Sequence, residues 1–198
     1  METDRSDLDQ RLAARLHGLR VERGLTLDAL AGRAGVSRSM ISLIERGESS
    51  PTASVLNRLA TGLSVALASL FDEAERPDAS PLARRADQPV WRDPGTRYER
   101  RGVSPPGFPS PLELAEVTVP PGGRVSFDAA PRAVAIHQQV WMLEGAMEIT
   151  LGGTVHRLAA GDCLAMRVDG PTTFRNPADG PARYLVALTV QAGGGATR

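Results

Sequence analysis

Leucine recurs at positions 8, 12, 16 and 19. That is the spacing of one helical face, and it predicts an amphipathic helix over 7–23 that ends at Gly24. Thr26 stands where a helix N-cap belongs, ahead of an apolar face made of Leu27, Leu30, Ala31 and Ala34. Gly35 supplies a left-handed turn, and Val36 plugs the gap between two helices. Ser37 then caps a third helix with Ile41 and Ile44 facing inward, and Gly47 stops it. Thr52 opens a fourth helix carrying Val55, Leu56, Leu59, Ala60 and Leu63. A last helical turn over 66–71 adds Leu67, Leu70 and Phe71 to the same core. The pattern is that of five short helices packed as one all-α unit, over 7–72.

The pattern changes after residue 72. Only Pro51 precedes that point, and the other fourteen of the fifteen prolines follow it. The segment 73–88 is charged, contains proline and is poor in large apolar residues, so it reads as a linker. From 89 to 192 the apolar residues fall in short runs. Residues 112–119 alternate, 146–151 continue the theme, and 183–190 are nearly all apolar. Turns fall at 120–123, 144–145, 152–153, 160–162 and 169–171. Short strands at about ten-residue spacing, punctuated by Gly and Pro, describe an antiparallel sandwich or barrel. The fold class is therefore multidomain α and β.

Charge and composition narrow the function. The formal charge is zero, and residues 1–71 carry nine Arg against eight Asp and Glu. Any nucleic-acid site is a local patch rather than a basic domain. All 23 basic residues are Arg, consistent with a coding bias. The single cysteine, Cys163, cannot close an internal disulfide, which fits a reducing, cytoplasmic compartment; it reads as a small buried hydrophobe. No apolar run approaches the roughly 20 residues of a membrane span, and the charged N-terminus has no signal-peptide core. No membrane partner is expected.

The stretch 25–50, LTLDALAGRAGVSRSMISLIERGESS, resembles the helix-turn-helix of the Xre/Cro repressors. Leu30-Ala31, Gly35-Val36-Ser37, Ile41-Ser42, Ile44-Glu45 and Gly47 carry the likeness. Pro51-Thr52 and Leu59-Ala60 with Leu63 extend it, over about 8–71. The resemblance implies a lambda-repressor-like domain that binds double-stranded operator DNA. Two helices joined by a tight turn hold the second at a fixed angle, so that it enters the major groove. Its exposed N-terminal residues, Arg38, Ser39, Met40 and Ser42, become the base readers, with Ser37 as cap. Arg38 suits a fork to guanine, and Met40 suits a thymine methyl. Arg46, Ser49, Ser50 and Thr52 face phosphates, Thr52 at a helix start. Thr26 stands at the start of the first motif helix. Glu45 reads as a structural partner for a nearby Arg.

Three pieces of the second half resemble the cupin jelly roll. They are VPPGG at 119–123, VWMLEGAMEITLGG at 140–153 and LAAGDCLAMRVDGPTTFRN at 158–176. The resemblance implies the fold, over roughly 105–190, but the chemistry departs from it. A metal-binding cupin uses three His and a Glu. Here the Glu position is Gln138, the paired His positions fall near Pro131 and Ala133, and the last His is Thr172. A neutral amide and a lone hydroxyl are poor anchors for Fe, Mn or Zn. No cofactor is expected, and His137 and His156 lie on different strands. The barrel remains a receptor for a small-molecule effector. Either parity of 137–143 fits strand alternation. The cupin frame favours Gln138, Val140 and Met142 inward, with Thr172, Phe174 and Asn176 opposite, and His137 as a pocket hydrogen-bonder if the other parity holds. Together the halves resemble Xre-type regulators with a cupin sensor: a dimeric repressor that is not an enzyme. The alternatives are a metal-dependent cupin enzyme tethered to DNA, and a constitutive DNA-binding protein whose barrel only dimerises it.

Overall fold

The computed structural model describes residues 2–71, 76–128 and 134–192. Four α-helices lead the chain: α1 (Glu2–Glu22), α2 (Leu27–Ala34), α3 (Arg38–Glu45) and α4 (Ala53–Gly62). Each cap read from the sequence is formed. Thr26 Oγ1 accepts from the Ala29 amide at 3.1 Å, Ser37 Oγ from Met40 at 3.2 Å and Thr52 Oγ1 from Val55 at 3.4 Å. Such caps satisfy amide donors that the helix leaves orphaned. Gly35 takes φ 62° at the turn between α2 and α3, where its amide closes α2 onto the Ala31 carbonyl.

The expected fifth helix is a single 3-10 turn, Ala68–Leu70. Its bonds run from Ser69 to Ala66, Leu70 to Leu67 and Phe71 to Ala68. These i→i+3 bonds are what six residues can close before the chain leaves for the barrel. Leu16, Leu30, Ile41, Ile44, Leu56, Leu59, Leu63 and Leu70 form the fully buried centre of the helical half.

Ten strands follow in two antiparallel sheets. They are β1 (Val90–Arg92), β2 (Glu99–Gly102), β3 (Leu112–Val119), β4 (Arg124–Phe127), β5 (Val134–Glu144), β6 (Ala146–Leu151), β7 (Thr154–Ala159), β8 (Cys163–Arg167), β9 (Thr172–Arg175) and β10 (Ala182–Ala192). One sheet runs β1-β2-β3-β10-β5-β8 and the other β4-β9-β6-β7. Alternation decides what faces in. Tyr184 pairs with Val117 and Met142, and Val186 with Ala115 and Val140, all buried between the sheets. The β5–β6 hairpin turns at Gly145, φ 76°, where a Cβ would come within 2.8 Å of the Pro181 carbonyl. Only glycine fits there.

The two halves share one continuous apolar cluster. Phe71 meets Trp91 at 5.5 Å between ring centroids, Trp91 meets Tyr98 at 6.3 Å, and the Arg100 guanidinium lies over Phe71 at 5.6 Å. The Ala53 amide at the start of α4 donates to Asp93 Oδ2 at 2.6 Å, across the seam. Residues 73–75 of the expected linker, and residue 72 before them, lie outside the described residues. The part from 76 onward is docked on the barrel rather than spanning a gap: the Arg76 amide donates to the Gly107 carbonyl at 2.9 Å, and Arg85 meets Glu116 at 3.7 Å.

Glu45 ties α3 to α1. Arg20 Nε donates to its Oε1 at 2.6 Å and Arg20 Nη2 to its Oε2 at 2.7 Å, with His17 Nδ1 at 2.9 Å. Burial pushes the Glu45 carboxyl up, but the hydrogen bonds from Arg20 and His17 together outweigh it and leave it below the usual carboxylate range. A depressed folded-state pKa contributes stability above the unfolded value that is lost as pH falls through the folded value. Glu45→Gln is therefore expected to cost about 1–3 kcal/mol near neutral pH. The difference from wild type should vanish in acid. Thermal unfolding of both proteins from pH 7 to 3 checks this, and a difference independent of pH would contradict it.

Candidate functional site

The exposed end of α3 forms the first candidate site. Arg38, Ser39 and Met40 are solvent-exposed, and Ser42 is half-buried one turn further on. Arg38 is 65% exposed and meets the still more open Asp28, Nε to Oδ1 at 3.4 Å. A surface pair of this kind is worth about 0–1 kcal/mol and yields readily to a better acceptor. Met40 is exposed beside the α3–α4 loop, where Ser49 Oγ reaches its sulfur at 3.9 Å. Arg46 is forked onto Glu48 at 2.7 and 2.9 Å and also reaches Ser42 Oγ. Ser50 Oγ is turned away to Asp9 at 2.5 Å. The hydroxyls of Thr26, Ser37 and Thr52 are engaged as caps, so these three act on the helices that carry the surface. The first amide of α4 is taken by Asp93.

The second site is a cavity of about 80 Å³ inside the barrel mouth. Gln138, Thr172 and Phe174 line it, with Tyr98, Arg100, Tyr184 and several aliphatic side chains. Phe174 stacks on Tyr184 at 5.9 Å and meets Phe127 edge-on at 5.9 Å. Burial raises the phenol of Tyr184 well above its ordinary value and that of Tyr98 less so. Both stay neutral donors. Arg100 Nη2 donates to Glu113 Oε1 at 2.7 Å. Asn57, Ala66, Leu67 and Ala68 close the cavity from the helical half.

Several expected pocket residues stand elsewhere. Val140 and Met142 have inward parity but are packed in the core below the cavity, 0% and 1% exposed. Asn176 is fully buried as a clasp. Its Nδ2 donates to the carbonyls of Val119, Pro120 and Gly180, and its Oδ1 accepts from Ala178. Both N–H donors of the amide are thereby used. His137 points out of the barrel, on the same sheet face as Gln139 and Trp141, because strand parity is set by the neighbouring Gln138, Val140 and Met142. Cys163 is exposed, not buried. It pairs with Trp141 on the edge strand β8 and so takes the outward parity.

The ligand positions of a metal-binding cupin do not fit a metal here. Gln138 and Thr172 bring only neutral oxygens and an amide to the cavity wall, and among the described residues no His, Asp or Glu lines it. No three His, Cys, Asp or Glu side chains come together among the described residues. Pro131 and Ala133 lie outside the described residues. No described helix is long and apolar enough to cross a membrane.

Sequence reasoning missed Asp93, Arg100, Tyr98 and Asn57. The Asp93-Pro94-Gly95 run is a turn signal, and Asp93 Oδ1 indeed accepts from Gly95 and Thr96 at 2.7 and 2.8 Å. Nothing local announces that its other oxygen caps a helix forty residues earlier.

Comparison with known proteins adds to this geometry. A helix-turn-helix domain family model matches residues 11–73, and a cupin domain model matches residues 115–188. The HTH-type transcriptional regulator PuuR of Escherichia coli K12 is 27% identical over 176 residues, covering 88% of this chain and 92% of that protein. The HTH-type transcriptional regulator SutR of the same organism is 26% identical over 172 residues, covering 83% and 86%. A crystal structure of an HTH_3 family transcriptional regulator from Vibrio cholerae superposes with a TM-score of 0.70 at 25% identity, over 93% of this chain and 97% of that one.

The geometry separates two kinds of arginine at the α3 surface. Arg38→Ala is expected to cost about 1–3 kcal/mol on the preferred duplex and to relax base preference at one position. Arg46→Ala should weaken all duplexes alike and flatten the salt dependence. Glu48→Gln, which releases Arg46, should strengthen them alike. In-vitro site selection and salt-dependent anisotropy check this. Unchanged base preference in Arg38→Ala would contradict it.

Proposed function

Because the chain is a helix-turn-helix transcriptional regulator with a C-terminal cupin domain, we propose that it is a cytoplasmic repressor that binds its operator as a twofold dimer. In this reading its barrel catalyses nothing and instead binds a small organic effector that changes operator affinity. The observation that carries the reading is the cavity, an aromatic-walled space with a few convergent polar groups and neutral side chains where a metal cupin has ligands. Without a metal, the barrel has no Lewis acid to polarise a substrate. What remains suits selective binding.

The dimer follows from the operator logic and from one sheet face. A single module reads too few bases, and two modules on half-sites about 34 Å apart read enough. The outer face of the six-stranded sheet carries Trp141, 48% exposed, with Leu185, Cys163 and Ala165 at neighbouring positions. A solvent-facing patch of that kind suits an isologous contact. Leu112 lies further along the same face.

Two measurements test the reading. Freshly purified full-length protein should carry far less than one equivalent of Fe, Mn, Ni or Zn, and chelators should leave its Tm unchanged. Native mass spectrometry should find an organic molecule retained by a fraction of the chains. A stoichiometric metal whose removal lowers Tm would replace this reading with that of an enzyme. Trp141→Asp should shift sedimentation toward monomer and weaken operator binding by about 100-fold or more as the second half-site is lost. An unchanged dimer would assign the contact to another face.

A further inference from the structure

The cavity belongs to both halves of the chain. Asn57 on α4 and Ala66, Leu67 and Ala68 just beyond it form one wall, while Gln138, Thr172 and Phe174 form another. Its charge is one-sided. Among the described residues, Arg100 is the one formally charged side chain on the lining, and no carboxylate lines it. The guanidinium is 7% exposed, lies over the Phe71 ring and donates from Nη2 to Glu113 Oε1 at 2.7 Å. Arg100 also lines an adjoining cleft of about 290 Å³, between α1 and the loop around Pro105. Trp91 lines that cleft as well, and its Nε1–H is buried with no acceptor. A buried donor left in that state is destabilising, and an acceptor bound in the cleft would satisfy it. On the scale on which one water needs about 10–15 Å³, the cavity holds roughly five to eight heavy atoms.

The same helix that walls the cavity begins at the DNA-facing loop. One turn before Asn57, the Ala53 amide is held by Asp93 Oδ2 at 2.6 Å. A helix N-terminus is where a DNA phosphate would be received, and in this arrangement a barrel carboxylate stands there. A molecule that touches both walls binds the docked arrangement more tightly than any arrangement in which α4 leaves the barrel, and therefore favours it.

We propose that the cavity takes a small monocarboxylate through Arg100, and that filling it locks α4 against the barrel with Asp93 in the phosphate position, so that operator affinity falls. The proposal rests on the reading of the barrel as an effector domain. Operator DNA must then weaken carboxylate binding by the same factor.

The test uses the full chain, an operator duplex obtained by in-vitro selection, and three probes of similar size: butyrate, butyramide and butylamine, at constant ionic strength. Butyrate should raise Tm and weaken operator binding about five-fold or more, whereas the amide and the amine should do neither. Arg100→Gln should lose the response to butyrate and Arg100→Lys should retain part of it. Asp93→Asn should tighten operator binding without any probe and shrink the effect of butyrate. Binding of the amide or the amine instead of butyrate would overturn the ligand class and leave the effector reading standing. Butyrate that binds and leaves operator affinity unchanged or higher would overturn the locking, as would an unchanged probe-free affinity in Asp93→Asn. If no probe binds, the carboxylate assignment fails, and the mass spectrometry above decides the effector reading independently.

Discussion

A single buried hydrogen bond, from the Ala53 amide to Asp93 Oδ2, joins the DNA-reading half to the barrel at the point where both have most to lose. Ala53 is fully buried and Asp93 is 2% exposed. An amide orphaned at a helix start needs an acceptor, and a buried carboxylate needs donors. Asp93 receives three, two from its own turn and one from α4. Neither group is satisfied inside its own domain alone. The seam built around this bond, with Phe71, Trp91, Tyr98 and Arg100, makes the cavity a property of the whole chain rather than of the barrel.

The reading surface is held from the other side. Arg20 grips Glu45 with two nitrogens and reaches the Leu25 carbonyl at 2.8 Å, so α1, the α1–α2 turn and the end of α3 move together. Bidentate pairing fixes direction as well as distance. α4, like α1, has partners in both halves. Its N-terminus follows the recognition loop, its middle meets the cavity at Asn57, and its C-terminal end packs against α2, where a Cβ on Gly62 would stand 3.0 Å from that of Ala34. A small displacement of α4 therefore changes both sites, because packed interfaces shift between discrete arrangements rather than deform.

The helical half was largely legible in the sequence because its determinants are local. Thr26, Ser37 and Thr52 each bond an amide three residues on, and such spacing is visible in a string of letters. Strand parity was legible once Val140 and Met142 were taken as inward, and Trp141 and Cys163 then had to face out. Reading Cys163 as buried relied on residue type, whereas its edge-strand position decided the matter. Asn176 looked like a pocket residue by parity, yet its amide is spent on three carbonyls that are far away in sequence or beyond a turn. The seam was illegible for the same reason. Asp93 and Ala53 are forty residues apart, and nothing in a local window selects one as the partner of the other.

The most direct test of this account is a double-mutant cycle on the seam. Proline is tolerated at the first position of a helix and has no N–H, so Ala53→Pro deletes the donor and Asp93→Asn deletes the charged acceptor. Unfolding free energies of wild type, both single variants and the double variant of the full chain give the coupling. If α4 is docked on the barrel in solution, the cycle should return an interaction of about 1–3 kcal/mol, the worth of a buried hydrogen bond to a charged group. Additive effects, with a coupling near zero, would mean that the two halves do not share this bond, and the cavity would belong to the barrel alone.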